Sequence, residues 1–275
     1  MSVKIEGMER IETFVSIQGL ISSGKTTLMT SLKRHIEKNG LSALDTLSPP
    51  PHGTDLFVLV DEPVEEWVKV DKSLLDCNGK GDPELHSYLG LYYRGMKPDD
   101  PLNPMAYPFQ TFTFTTRFGT LCDAVRQIPR FDPADGIRVH LIAERSVRAD
   151  RLFFKNVYEG GGCLDYEWRT YEQFHATFCT DLMKKEDMMV RLNTSAVKSH
   201  DRLCNKRKRE AEVKTGVPLA YLESLERQHE EMYSSFALEK GADRVVDVNF
   251  EKDMTEEEID KIAADLIERI KTFRR

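Results

Sequence analysis

The chain has 275 residues, of which 40% are hydrophobic and 31% charged, and its net charge at neutral pH is −7. This length and composition are typical of a globular protein with a sizeable core, in one large domain or two small ones. The negative charge disfavours a general nucleic-acid binder, and no stretch approaches the roughly 18 apolar residues of a membrane-spanning helix.

The five cysteines are scattered and form no C-x-x-C pair. An odd, dispersed set predicts reduced thiols in a cytosol-like compartment, and neither a disulfide framework nor a zinc site. Residues 1–10 include two glutamates and lack the apolar core of a signal peptide. The missing signals predict a cytoplasmic protein, with the mitochondrial and nuclear compartments left open.

A β-branched and aromatic run, residues 13–18, leads into the segment Gly19-Leu20-Ile21-Ser22-Ser23-Gly24-Lys25-Thr26-Thr27. Apolar residues at helical spacing follow over residues 28–36. Strand, glycine-rich loop and helix are the context that a phosphate-binding loop needs. The loop's N–H groups and the start of the helix favour phosphate oxygens. Lys25 is expected to reach the β- and γ-phosphates of a nucleotide, and the Thr26 hydroxyl to bind Mg²⁺.

A second apolar run, residues 56–60, predicts a strand that is buried on both faces of a parallel sheet. Glu62 follows it, before Pro63 turns the chain outward. An acid at the carboxyl end of a buried strand points into the crevice where open α/β sheets bind ligands. A solvated acidic turn is the alternative, and it suits Glu65 and Glu66 better than Glu62.

The next part of the chain gives weaker signals. Residues 84–93 are compatible with a helix, and four prolines indicate irregular chain at Pro98, Pro101, Pro104 and Pro108. Residues 109–118 alternate apolar and polar side chains, which is typical of a strand. Phe114, Phe118 and Leu121 also fit a helix, and the period alone does not decide between the two.

The second half of the chain alternates strands with helices. Strands are predicted at residues 137–143, 188–192 and 244–248, and helices after residue 146, over 168–183, from 218 and from 255. With the two earlier strands, this order predicts a single α/β domain over residues 1–275. Its core is a five-stranded parallel sheet flanked by helices, with right-handed crossovers.

A dense basic segment, Arg202 to Arg209, follows the fourth predicted strand. Such a charge run is usually solvated, or it marks a nuclear-import or nucleic-acid-binding patch. In a phosphate-binding fold, its position favours a mobile basic lid over about residues 200–216 that closes cationic side chains over ATP.

Five blocks of sequence resemble the cellular and viral deoxynucleoside kinases, in particular the deoxycytidine and deoxyguanosine kinase group. In chain order they are the phosphate-binding loop, Glu62-Pro63-Val64-x-x-Trp67, Phe109-Gln110-Thr111-Phe112 with Arg117, Glu144-Arg145-Ser146-Val147-x-x-Asp150-Arg151, and Gly216-Val217-Pro218-Leu219-x-Tyr221-Leu222-Glu223 with His229-Glu230. The resemblance implies a P-loop kinase that uses ATP and Mg²⁺ to phosphorylate the 5′-hydroxyl of a deoxynucleoside in nucleotide salvage. It also implies a homodimer.

The resemblance implies a catalytic group of three residues. Glu62 is similar to the general base that takes the proton from the 5′-hydroxyl. Arg145 would bridge that site and the phosphates, which Lys25 also contacts. Glu144 would act with Thr26 on the magnesium side. The implied ATP-binding residues are Gly19, Ile21, Ser22, Ser23, Gly24, Lys25, Thr26, Thr27, Arg207 and Arg209.

The resemblance also implies an acceptor site. Gln110 would read the edge of the base, because one amide offers both a donor and an acceptor. The remaining implied substrate residues are Trp67, Phe109 and Phe154 around the base, Tyr93 and Glu212 at the sugar 3′-hydroxyl, and Glu62, Arg117 and Asp150. Differences from the family pattern leave three choices open, namely Tyr92 or Tyr93, Lys206 or Arg207, and Glu210 or Glu212.

Arg117 and Asp150 bear on the choice of base. Members of the family that favour deoxycytidine and purine deoxynucleosides carry an arginine and an aspartate at these positions, whereas thymidine-favouring members carry apolar residues. The resemblance therefore implies the first preference, with a purely structural ion pair as the alternative. A thymidylate-type nucleoside monophosphate kinase and a non-catalytic nucleotide-binding subunit are the competing functions.

Overall fold

The computed structural model describes residues 4–44, 50–69, 87–96, 100–206 and 217–273. Its five strands are β1 (Ile11–Gln18), β2 (Asp55–Val60), β3 (Arg138–Glu144), β4 (Glu186–Asn193) and β5 (Val245–Asn249). They pair in parallel, in the order β2-β3-β1-β4-β5. The predicted five-stranded parallel sheet is therefore confirmed.

Helices connect and cover the strands. In the described part of the chain they are α1 (Lys25–Lys38), α2 (Val64–Trp67), α3 (Tyr88–Gly95), α4 (Ala106–Gln127), α5 (Val147–Glu159), α6 (Asp165–Lys185), α7 (Ala196–Asn205), α8 (Leu219–Lys240) and α9 (Glu256–Thr272). None of these described helices is long and apolar enough to cross a bilayer.

The sheet is buried on both faces because its central strands are apolar on both sides. Along β1, Phe14 packs into one core cluster while Val15 and Ile17 pack into the other. Successive side chains of a strand point to opposite faces, so one short segment supplies both cores. The amphipathic helices α1 and α9 cover the second cluster through Leu32 and Ile267.

Helix α4 resolves the ambiguous segment 109–118, whose strand-like alternation is misleading. Its polar positions are mostly threonines, and the hydroxyls of Thr115 and Thr116 donate to the carbonyls of Thr111 and Phe112, both at 2.8 Å. Such bonds within the helix satisfy the hydroxyls without a sheet. Pro108 was predicted to lie in irregular chain, but it occupies the first turn of α4, where a missing N–H is tolerated.

Helix α7 is an element that the sequence analysis did not predict. It contains residues 200–205, so the first part of the proposed lid is helical. The four lid candidates Arg207, Arg209, Glu210 and Glu212 lie outside the described residues.

Candidate active site

The phosphate-binding loop lies between β1 and α1, as predicted. Gly24 has a φ of +104° and precedes the first residue of α1. The Lys25 ammonium donates to the carbonyl oxygens of Gly19 at 3.2 Å and Leu20 at 2.6 Å, so the loop curls around it. A cleft of about 800 Å³ opens in front of the loop.

Gly24→Ala is expected to distort the loop. A Cβ at Gly24 would meet a ring carbon of Phe250 at 2.6 Å, and the backbone has a φ that L-residues avoid. We expect at least a tenfold loss in affinity for inorganic tripolyphosphate, measured by calorimetry. Gly40→Ala is the control, because Gly40 also has a positive φ but a Cβ there would meet nothing. Equal affinity in wild type and Gly24→Ala would contradict this prediction.

Glu62 follows β2 at the carboxyl edge of the sheet and lies between two arginines. Its Oε1 accepts a hydrogen bond from Arg117 Nη2 at 2.7 Å and forms an ion pair with Arg145 Nε at 2.9 Å. Arg117 also pairs with the buried carboxylate of Asp150 and lies 5.1 Å from the centroid of the Trp67 ring. The structure thus contains the Arg117–Asp150 pair and connects it directly to Glu62.

The environment of Glu62 changes its pKa in two opposing ways. Burial raises the pKa, but the guanidinium groups of Arg145 and Arg117 and the Lys25 ammonium outweigh burial and lower it to about 2. The carboxylate is therefore ionised throughout the neutral range.

This low pKa predicts an acid-dependent loss of stability. Glu62 stabilises the fold fully above the pKa of the unfolded chain, and this stabilisation is lost as the pH falls towards the folded pKa of about 2. Between about pH 6 and pH 3, wild type should lose about 2 kcal/mol of unfolding free energy relative to Glu62→Gln. Urea denaturation at both pH values measures the difference. Parallel pH dependences of the two proteins would contradict this prediction.

Arg145 lies just beyond β3 with a backbone φ of +68°, and its N–H donates to the carbonyl of Ile17 at 3.0 Å. Its guanidinium lies 4.7 Å from the centroid of the Phe153 ring. Nη1 of Arg145 is buried and makes no hydrogen bond to any described residue. A non-glycine residue in this backbone conformation is costly, which indicates that the surrounding structure holds Arg145 in place. Its Nη1 is available as a donor to an incoming oxygen.

Thr26, at the start of α1, and Glu144, at the end of β3, contact each other beside the loop. The Thr26 hydroxyl donates to Glu144 Oε1 at 3.0 Å. Burial and the nearby Glu62 charge raise the pKa of Glu144. The described residues contain no group of three or more His, Cys, Asp or Glu side chains suited to a metal. One carboxylate and one hydroxyl do fit Mg²⁺, which often binds through one or two protein oxygens together with substrate phosphates.

Aromatic side chains form the inner wall of the cleft. The Trp67 ring stands edge-on to Phe109 at 6.3 Å, and Tyr92 stacks on the other side of Phe109 at 4.6 Å between centroids. Gln110, from the next position of α4, lines the same wall. A flat apolar slot with one amide is suited to a planar heterocycle.

The two candidate tyrosines of α3 both line the cleft. The hydroxyl of Tyr92 lies 3.4 Å from that of Tyr221, and burial raises the pKa of Tyr92 well above its ordinary value. The Tyr92 phenol therefore stays neutral at physiological pH. The choice between Tyr92 and Tyr93 for the sugar stays open.

Phe154 is the one predicted slot residue in the described chain that the structure locates elsewhere. It is fully buried against Trp168 and Tyr171, with ring centroids at 5.7 and 4.8 Å. Phe153 lines the cleft instead and contacts both Arg145 and His229. Neighbouring residues of a helix face different directions, so an error of one position moves a side chain from cleft to core.

A buried polar network includes Gln18, the residue that directly precedes the phosphate-binding loop. The Gln18 amide donates to the hydroxyls of Ser16 and Ser146, both at 3.0 Å. Ser16 donates to the fully buried Glu186, which also accepts from Arg148 Nε at 3.0 Å. Burial raises the pKa of Glu186. The network joins β1, β4 and Ser146, the residue that follows Arg145. Ser146 belongs to a block that resembles the family, but the sequence analysis assigned no role to any member of the network.

The cleft is also lined by two cations of the predicted basic segment, of which Lys206 was the open alternative to Arg207, and by two residues that the sequence analysis did not assign. Arg202 and Lys206 of the α7 region line it, together with Phe250 and Asp253 from the segment after β5. The spacing of four residues between the two cations was the available signal, because it puts them on one face of a helix.

A glycine-rich phosphate loop at the carboxyl edge of this parallel sheet defines the class, a P-loop kinase fold. A family model described as "Deoxynucleoside kinase" matches residues 51–274. The chain therefore belongs to the deoxynucleoside kinase family, as the resemblance implied. The family comprises nucleoside kinases, phosphotransferases that use a nucleotide as phosphate donor.

Individual relatives agree with the family assignment. Deoxycytidine kinase 2 of Gallus gallus is 25% identical over 229 residues, which cover 78% of this chain and 72% of that protein. Deoxycytidine kinase of Homo sapiens is 25% identical over 276 residues, covering 94% and 90%. The solved structure of a deoxyadenosine kinase from M. mycoides, with the products dCMP and a flexible dCDP bound, matches with a TM-score of 0.59. At 17% identity, over 94% of this chain and 100% of that one, this match shows the fold alone.

Proposed function

We propose that this protein is a deoxynucleoside kinase that transfers the γ-phosphate of ATP to the 5′-hydroxyl of deoxynucleosides, with deoxycytidine and purine deoxynucleosides favoured, in nucleotide salvage. The observation that carries the proposal is the Glu62 carboxylate, which lies between Arg117 and Arg145 in the same cleft as the phosphate loop. A proton acceptor and a triphosphate site in one cleft are the two requirements of this reaction.

In the proposed reaction, the acceptor's 5′-oxygen forms a bond to the γ-phosphorus while the bond from that phosphorus to the bridging oxygen breaks. The hydroxyl proton goes to Glu62, and the leaving nucleotide diphosphate keeps the electron pair. Arg145 supports the transferred group, because its Nη1 is buried and makes no hydrogen bond to any described residue. The positions of Glu62 and Arg145 support the roles of base for the first and electrostatic stabiliser for the second.

On the donor side, the loop's backbone N–H groups and Lys25 would hold the β- and γ-phosphates. Thr26 and Glu144 would hold Mg²⁺, which supplies charge neutralisation for the phosphates when it is bound. The hydrogen bond between their side chains supports this pairing, because it brings two oxygen ligands to one point beside the loop.

The preference among bases follows from Arg117. The Arg117–Asp150 pair lines the cleft next to Trp67, and such a charged pair would leave little apolar room for the 5-methyl group of thymine. The curated relatives named above are deoxycytidine kinases, which supports the same preference. We further propose a cytoplasmic homodimer, on the scattered cysteines and the family resemblance. Light scattering at the elution peak of a sizing column tests the dimer.

The test of the function is a panel of four deoxynucleosides and their monophosphates, each incubated with Mg-ATP. Products are identified by anion-exchange chromatography. We expect monophosphates from deoxycytidine, deoxyadenosine and deoxyguanosine, with less from thymidine. Conversion of dTMP alone would favour a thymidylate-type kinase, and no conversion of any acceptor would favour the non-catalytic subunit.

A further inference from the structure

An acidic residue in the segment after β5 binds the basic face of α7. The Asp253 carboxylate accepts from Lys206 Nζ at 2.6 Å, from Arg202 Nε and Nη2 at 3.2 Å, and from Lys198 Nζ at 3.4 Å. Three cations from successive turns of the α7 region thus share one carboxylate.

Arg202, Lys206 and Asp253 belong to the wall of the cleft that also contains the phosphate-binding loop. The start of α7 adjoins that loop, because the Thr194 hydroxyl donates to the carbonyl of Ser23 at 3.3 Å. Arg202 Nη1 is buried and makes no hydrogen bond to any described residue. The cluster therefore faces the phosphate site with more positive charge than Asp253 neutralises.

We propose that Asp253 stands in for the donor's phosphates: it neutralises the basic face of α7 before the donor binds, and the phosphates then replace it on Arg202 and Lys206. The proposal rests on the donor site assigned above. Asp253 is a specificity-determining residue for the donor in this exchange, because every ligand must displace an anion that the chain already carries.

The exchange favours ligands that carry several negative charges. A ligand with one negative charge gains nothing when it replaces a carboxylate, whereas a triphosphate brings several charges to the same cations. The arginine and lysine donors also hold the pKa of Asp253 well below its ordinary value, so the carboxylate is charged at every physiological pH. Asp253 thus weakens donor binding and discriminates against small anions.

A neighbouring acid fixes α7 by other means. Glu251 accepts from the backbone N–H of Ser195 at 2.7 Å and from its hydroxyl at 2.9 Å, at the residue that caps α7. The position of the helix therefore does not depend on Asp253 alone. This separation allows the charge of Asp253 to be tested apart from the placement of α7.

The test compares wild type with Asp253→Asn by calorimetry, using inorganic tripolyphosphate, ATP and inorganic phosphate at low ionic strength. We expect the variant to bind tripolyphosphate and ATP about three- to tenfold more tightly, because no internal anion competes. Inorganic phosphate should gain at least as much. The slope of log affinity against log salt should steepen by about one.

Two further variants separate charge from structure. Glu231→Gln removes a surface pair with Lys155 away from the cleft and should leave all three affinities unchanged. Ser195→Ala loosens the cap of α7 without changing any charge and should not tighten phosphate binding. Unchanged or weaker tripolyphosphate binding by Asp253→Asn would overturn the proposal alone. No tripolyphosphate binding by either wild type or Asp253→Asn would overturn it together with the donor assignment.

Discussion

Glu62→Gln is expected to lower the rate of phosphoryl transfer by about 10²- to 10⁴-fold. Glutamine has the same shape, and its amide oxygen can still accept hydrogen bonds from Arg117 and Arg145, so the two guanidinium groups keep a partner. It cannot accept a proton from the 5′-hydroxyl. The measurement is a single-turnover reaction with saturating Mg-ATP and deoxycytidine, stopped with acid and analysed by chromatography.

The control for this experiment is Glu66→Gln, one turn further along the same segment. Glu66 pairs with Lys69 at the surface and does not belong to the cleft wall. Its replacement should leave the single-turnover rate within about twofold of wild type. If Glu62→Gln kept more than a tenth of the wild-type rate, Glu62 would have only an orienting role and the proposed chemistry would lose its base.

A low pKa is compatible with the role of Glu62 as a base. Two guanidinium groups keep the carboxylate ionised at neutral pH, so it can accept a hydrogen bond from the hydroxyl as soon as the acceptor binds. In a loose transition state, the attacking oxygen becomes strongly acidic only when its bond to phosphorus forms. A weak base in the correct position is then sufficient, and position is what Arg117 and Arg145 provide.

The sequence was sufficient for the parts of the fold that local chemistry determines. The phosphate loop is specified by two glycines, a lysine and a threonine at fixed spacing, and α9 begins where it was predicted, with Thr255 and Glu258 forming a capping box. The buried strand before Glu62 could be predicted because strands of a parallel sheet are buried on both faces and are therefore apolar throughout. In each case, residues close in the chain carry the whole signal.

The sequence was insufficient where partners are distant in the chain. The Arg117–Asp150 pair was expected, but the contact between Arg117 and Glu62 joins residues 55 positions apart and has no local pattern. The Gln18 amide similarly links Ser16 to Ser146, which lies 128 positions beyond Gln18, so this link can be recognised only from the fold. Helix α4 was ambiguous because its threonines alternate with phenylalanines along the sequence, which imitates the period of two of a strand.

The second large effect concerns the base. Arg117→Met combined with Asp150→Ala is expected to raise the ratio of kcat/KM for thymidine to that for deoxycytidine by about tenfold or more. The substitutions replace a buried ion pair beside Trp67 with apolar groups, which makes room for a methyl group and removes polar partners of the cytosine edge. Both nucleosides are measured under the same conditions by initial rates of ADP formation.

The ratio is the appropriate readout because Arg117 also serves Glu62. Its loss removes one of the two guanidinium groups that hold the Glu62 carboxylate in position, so both substrates should be phosphorylated more slowly, whichever nucleobase they carry. Arg151→Met with Glu172→Gln provides a matched control: this pair, at 2.7 and 2.9 Å, joins the residue of α5 after Asp150 to α6 and lies outside the cleft wall. It should leave the ratio unchanged. An unchanged ratio in Arg117→Met with Asp150→Ala as well would reduce the pair to a structural role and leave base selection to Gln110 and the aromatic slot.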